Sequence, residues 1–350
     1  MTGQVGRLWS RWVRFLDRRE PGTTLALWRI AVGSCLFGTV AAVALAGVVP
    51  ALWLGPADGG YTEPQANWLF RLLGGATRAN VWVVVGVTLA AALLTTVGLG
   101  GRWPLLLALQ GFIALFRLNP AATGAHDAVI TNSLWLLFLS RSTVTLSLDC
   151  RLRTGRWTCD VAVPAWPRYL AVFQLVLIYF TSGVQKLSAT WTPVGGYSAL
   201  YYILQQPTWQ RGDMSRAAWV YPLTQLGTAI SWLWEVASPL LLLAYWYRAT
   251  PERPGRLRRL FNRFNFRRGF VLIGLAVHLG ILAFLEVGPF SWIMVSLYIC
   301  LYHPDEWRAA SGGRASGGRA SGGREAADLT CGTSHFSSLI ATLRNSTRTL

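Results

Sequence analysis

The chain has 350 residues, of which 53% are hydrophobic and only 13% charged, a balance too apolar for a soluble domain of this length and one that marks a membrane protein. Its net charge of +17 raises the alternative of a nucleic-acid binder, and "RLRRLFNRFNFRRGF" (Arg256–Phe270) has the required mixture of arginine and aromatics. That alternative is set aside, because the arginines gather in alternate connections between apolar runs, as the positive-inside bias of membrane proteins requires.

In chain order, residues 1–24 form a basic segment in which Trp9, Trp12, Val13 and Leu16 share one helical face opposite Arg7, Arg11, Arg14 and Arg18. This predicts an interfacial helix on the inner leaflet, and the segment is too basic to read as a cleaved signal. Eight apolar runs follow, to be set against the ~20 residues that cross a bilayer core: Leu25–Val49, Ala79–Leu99, Leu105–Leu118, Ala128–Leu146, Tyr169–Gly183, Ile230–Tyr247, Gly269–Val287 and Pro289–Leu301. The third and the last are short. The expectation is an all-α polytopic membrane protein of about eight transmembrane helices, with one membrane domain over residues 25–307.

Arginine clusters before the first run, at Arg102, at Arg151, Arg153 and Arg156, and over Arg248–Arg268, so both termini are expected in the cytoplasm of a multi-pass cell-membrane protein. Residues 308–350 open with three copies of Ala-Ser-Gly-Gly-Arg and are expected to be a linker and disordered tail. Five cysteines without metal-ligand spacing, and histidines only at 126, 278, 303 and 335, give no reason to expect a protein-bound metal.

Four ionisable residues stand in or beside apolar runs, where charge is costly and therefore a functional candidate. Lys186 follows the fifth run and is the one lysine among 32 Lys and Arg residues. Arginine would anchor a span end equally well; lysine differs in being able to lose its proton when desolvated. His126 precedes the fourth run, and the alternation of loops puts it on the same external side as Lys186. Glu235 and His278 lie inside the sixth and seventh runs, where a buried pairing or a water contact could also satisfy them. The long external connection Pro193–Leu226 has Tyr197, Leu200, Tyr201 and Leu204 at helical spacing, and is expected to cover the face that holds Lys186.

"YFTSGVQKLSATWTPVGGYSALYY" (Tyr179–Tyr202) resembles a stretch of the vitamin K-dependent gamma-glutamyl carboxylases and of the wider HTTM (horizontally transferred transmembrane) domain family. "LWRIAVG" (Leu27–Gly33), "HDAVITNSLWLLFLSRSTVTLSLD" (His126–Asp149) and "VGPFSWIMVSLYICLYHPDEW" (Val287–Trp307) are similar to further family segments in the same order. The resemblance, over Leu25 to Trp307, implies a quinol-dependent carboxylase-like enzyme. Lys186 would be the catalytic base and His126 its helper, with Glu235, His278, Trp191 and Tyr197 as substrate-binding or supporting residues. It implies a reduced quinone of the vitamin K or menaquinone type as cofactor, with O2 and CO2 as co-substrates. Gln185 stands where the family has the first lysine of a pair and Ser188 where it has an aspartate, and where the carboxylase continues into a luminal substrate-binding domain, residues 308–350 are expected to be a disordered tail.

The expected partners are the lipid bilayer and a secreted peptide or protein, with no nucleic acid. Two other readings remain at this stage. One is a non-catalytic accessory protein for maturation or export of a secreted peptide, as in family members linked to a sporulation-delaying toxin. The other is a transporter with Glu235 and His278 as relays, which lacks paired broken spans in its favour.

Overall fold

The computed structural model describes residues 2–214 and 218–310; the expected disordered tail lies outside them. The chain is mostly helical. Helix α1 (Thr2–Leu16) is followed by strand β1 (Arg19–Pro21) and the long α2 (Thr23–Leu45), then by short α3 (Val49–Trp53) and α4 (Trp68–Leu72). Next come α5 (Arg78–Val97), α6 (Trp103–Phe116), α7 (Ala125–Leu139), α8 (Leu148–Thr154) and strand β2 (Ala162–Pro164). The second half holds α9 (Trp166–Gln185), α10 (Ala199–Leu204), α11 (Tyr221–Val236), α12 (Leu240–Ala249), α13 (Arg256–Phe264), α14 (Phe266–Phe284), α15 (Phe290–Tyr298) and α16 (Pro304–Ala310).

Four helices, α2, α5, α9 and α14, are long and apolar enough to cross a membrane; the 23 residues of α2 extend about 34 Å. A fifth crossing arises if α11 and α12 are counted as one bent span, the two being inclined by 54°. Pro239 opens α12 and supplies the cause, because it cannot continue the hydrogen bonding of α11. Four or five spans thus stand against the eight runs of the sequence. The third and eighth runs are the shorter helices Trp103–Phe116 and Phe290–Leu301. The fourth run, Ala128–Leu146, stops being helical at Leu139, where Ser140 adopts extended backbone. Tyr197 likewise falls outside α10 and has a φ of 53°, so the expected helical face through Tyr197 begins two residues later.

Small residues let the helices touch. A Cβ on Gly33 of α2 would lie 2.9 Å from the Thr96 backbone nitrogen of α5, and one on Gly111 of α6 would strike the Thr88 hydroxyl. Between helices in lipid, close van der Waals approach of this kind replaces the hydrophobic effect as the source of packing energy. Buried charge is matched case by case. The Arg29 guanidinium in α2 donates to the carbonyls of Ser142 and Leu146 at 3.0 and 2.6 Å, which lie in the irregular segment after α7.

Arg168 in α9 grips Glu20 through two hydrogen bonds of 2.7 Å. Strands β1 and β2 pair antiparallel in the register Glu20 with Val163, and the Ala165 N–H extends the ribbon to the Arg18 carbonyl. At the same end Arg267 and Arg248 converge on Glu306 of α16. Burial alone would push the Glu306 carboxyl up, but the Arg267 hydrogen bonds, the His303 N–H and the charges of Arg267 and Arg248 pull it down to about 2.

Candidate functional site

Lys186 caps the C-terminus of α9, leaving the helix at φ −75° and ψ 71°, so its side chain leaves the bundle axis and meets α11. The Nζ atom donates to Glu235 Oε2 at 2.5 Å, with the two side chains 19% and 12% exposed. Close helix approach makes this contact reachable. A Cβ on Gly183 would lie 2.9 Å from the Val236 backbone nitrogen and 3.0 Å from Glu235 Cβ, so a larger residue would separate the helices. The Trp232 indole N–H donates to the Gly183 carbonyl across the same gap at 3.2 Å.

The ammonium lies 4.2 Å from the centroid of the Trp191 ring, a cation–π contact that covers the pair from the side of the Ala189–Trp191 turn. Glu235 sits in the last turn of α11, directly before the break at Pro239. The acid is therefore at the joint of a bent helix, where backbone groups are already released from regular bonding.

Below this pair lies a second polar cluster. His278 in α14 is 2% exposed; its Nε2 is 2.8 Å from the Tyr179 hydroxyl and its Nδ1 3.2 Å from the Ser291 hydroxyl. The Tyr179 hydroxyl also meets that of Tyr298 at 2.7 Å. Each member can pass a hydrogen bond onward, so the tautomer of His278 fixes the polarity of the whole chain of bonds. Trp234, the neighbour of Glu235, packs on the Tyr179 ring with centroids 4.3 Å apart. Gly274 makes room for this cluster, since a Cβ there would collide with the Tyr298 hydroxyl and lie 2.6 Å from the Trp234 ring. Sequence reasoning found His278 and Glu235 but missed Tyr179, Tyr298 and Ser291, whose hydroxyls look unremarkable inside apolar runs.

His126 stands elsewhere. It lies in the first turn of α7, 3.3 Å from Asp127, whose carboxylate caps the helix by accepting the Gly124 N–H at 2.8 Å. Its ring borders a groove of about 810 Å³ between α2 and α15, lined by Cys35, Gly38, Thr39, Trp292 and Ser296 among others. Among the described residues no hydrogen bond or ion pair joins His126 to Lys186. The two do share one end of the bundle. The segment after Lys186 is tied by Arg211 N–H to Phe284 O and by Glu286 N–H to Trp209 O, and Glu286 is itself on the rim of the groove. Tyr197 lies in a turn held by Gln225, which donates to the Gly196 carbonyl at 2.7 Å, and no hydrogen bond joins it to Lys186 among the described residues.

The architecture is that of a polytopic helical membrane protein with a partly buried lysine–carboxylate pair at one end of its bundle. The HTTM domain family matches residues 18–230, more than half of the chain, and the chain belongs to that family. The resemblance to the carboxylase membrane domain is consistent with this membership. Lys186, His126, Trp191 and Tyr197 fall within the matched stretch, whereas Glu235 and His278 lie beyond its end. No curated protein and no solved structure gives a significant match.

Proposed function

We propose that this chain is a quinol-dependent, carboxylase-like enzyme of the cell membrane, with its site on the external face and both termini in the cytoplasm. The observation that carries the reading is the contact of the single lysine with Glu235 at 2.5 Å under the Trp191 ring. In such a family a reduced quinone supplies the electrons by which dioxygen yields a base strong enough to remove a carbon-bound proton before CO2 is added. The residues fit a quinone of this kind in one respect: the groove between α2 and α15 offers an apolar bed for a prenyl-substituted ring, with His126 beside it.

Lys186 holds and moves the proton. Glu235, in direct contact with the ammonium, is the group placed to take a proton from Lys186 and return it. The Trp191 ring lies over the ammonium and holds it beside Glu235. His126 assists at the groove, and the Tyr179–His278–Ser291 chain keeps the interior polar groups satisfied beneath the pair.

One observation favours a second reading. The Lys186–Glu235 pair also fastens the end of α9 to the joint between α11 and α12, as a structural latch would, which suits an accessory protein for a secreted peptide. The two readings separate at Lys186→Arg, assayed with reduced menaquinone, O2 and CO2 on the purified full chain. Arginine retains the charge and the latch but does not deprotonate, so the catalytic reading expects quinol oxidation to fall by about 10²- to 10⁴-fold with unchanged thermal stability. Full activity in Lys186→Arg rules out the base, and absence of any quinol oxidation by the unmodified protein favours the accessory reading.

A further inference from the structure

At the end of the bundle opposite Lys186, the stretch 248–268 carries eight arginines against the single carboxylate of Glu252. Its helix α13 is sharply two-sided. Leu257, Leu260 and Phe264 form one exposed apolar stripe, 61%, 49% and 69% accessible, while Arg256, Arg259 and Arg263 line the adjacent stripe. A helix of this make-up lies in the plane of a membrane surface, with the apolar stripe in the acyl boundary and the guanidinium groups among headgroups. Its third side is fixed to the protein. Arg258 is buried, donates to the Thr250 carbonyl at 2.5 Å and lies over the rings of Trp246 and Tyr247 at 5.0 and 4.8 Å. Phe261 stacks on Phe266 at 5.1 Å.

Between α12, α13 and the start of α14 this packing leaves a cavity of about 300 Å³, bordered by Tyr245, Arg248, Asn262, Asn265 and Arg267. Two guanidinium groups and two amides line one small space that opens beside an interfacial helix. Glu306 neutralises only part of that charge. Arg267 is 5% exposed and its Nε atom is buried without a hydrogen-bond partner among the described residues. Arg248 is half-exposed and holds Glu306 by one hydrogen bond of 3.1 Å, so it can turn toward a second anion.

We propose that this cavity binds the phosphodiester headgroup of an anionic phospholipid, whose acyl chains run along Leu257, Leu260 and Phe264. Basic pockets between membrane helices take such headgroups, and the apolar stripe next to the opening distinguishes a lipid from a free phosphate. The proposal is independent of the chemistry assigned to Lys186.

The test is thermal melting of the purified full chain in an uncharged detergent, titrated with short-chain phosphatidylglycerol, short-chain phosphatidylcholine or inorganic phosphate. Phosphatidylglycerol is expected to raise the melting temperature saturably, and phosphatidylcholine to leave it unchanged. Equal stabilisation by inorganic phosphate would overturn the lipid assignment. Arg248→Gln, which removes one charge-assisted contact at the cavity, is expected to weaken phosphatidylglycerol binding about tenfold. Arg268→Gln removes the same charge from an exposed neighbour outside the cavity and should leave binding nearly unchanged. If Arg268→Gln weakens binding as much as Arg248→Gln, the attraction is a diffuse surface charge and the site is disproved; if Arg248→Gln has no effect, the cavity is not the site.

Discussion

Gly183 and Val236 approach so closely that no side chain fits between them: a Cβ on the glycine would lie 2.9 Å from the valine backbone nitrogen. The ion pair of Lys186 and Glu235 depends on that approach. Gly183→Ala is therefore expected to push α11 off α9 and loosen the pair. Because Lys186 is the only lysine, amine acylation followed by peptide mass spectrometry reads its accessibility directly. Faster acylation of Lys186 in Gly183→Ala, together with a lower melting temperature, is the expected result; unchanged acylation would show that the glycine does not govern the pair.

The Tyr179 hydroxyl joins two side chains from different helices, His278 of α14 and Tyr298 of α15, and its ring is held by Trp234. Removing only the hydroxyl, in Tyr179→Phe, leaves the buried His278 and Tyr298 each short of one partner. The expected cost is about 1–3 kcal/mol for each group left unsatisfied, seen as a lower melting temperature in detergent. A variant as stable as the parent would mean that water takes over the lost bonds.

Glu306 makes stability depend on acid. Its carboxyl titrates near 2 when folded against an ordinary 4.5, so the unfolded chain binds the proton more readily. The stabilisation is complete above about pH 4.5 and is lost as the pH falls toward 2. Glu306→Gln should melt at a lower temperature than the parent at neutral pH, by roughly 1.5–3 kcal/mol for hydrogen bonds to charged groups. The difference should shrink steadily below pH 4.5. A constant difference down to pH 2 would assign the loss to packing rather than charge.

The orientation can be tested with single cysteines in a cysteine-free background. Ser188 follows Lys186 and is exposed; Ser188→Cys should react with an impermeant maleimide added outside intact cells. Ser311→Cys should react only after permeabilisation. Reaction of both from outside would contradict cytoplasmic termini.

The helical class was readable because apolar runs and arginine-rich loops are local features, each visible in a short window. The lengths of the helices were less readable. The sixth run, Ile230–Tyr247, is continuous in hydropathy yet bends by 54° at Pro239, and the fourth continues through Val144 and Leu146 after its helix has ended at Leu139. The segment leaves the helix so that the carbonyls of Ser142 and Leu146 can accept from Arg29, which composition does not reveal. Lys186 and Glu235 stood out singly, by rarity and by charge within an apolar run. Their pairing did not, since it needs Gly183, beside the lysine, to pack against the end of α11, where Glu235 lies 49 residues further along the chain. The resemblance and the alternation of loops both place His126 with Lys186, but neither carries a distance, and sharing an end of the bundle does not bring side chains into contact.

The bond between Glu20 and Arg168 also has a consequence in time. The two are separated by 148 positions, and at a synthesis rate of about 5–20 residues per second the ribosome adds Arg168 roughly 7–30 s after Glu20. Throughout that interval the carboxylate at the head of α2 lacks the guanidinium that grips it in the folded chain, and burying it without that partner would be costly. The N-terminal helices can therefore pack on one another early, but the end that carries Glu20 must stay wet until α9 has been made. Nascent chains halted before Trp166 should accordingly leave Glu20 in contact with water, and chains released just beyond Gln185 should be the first able to close that end of the bundle.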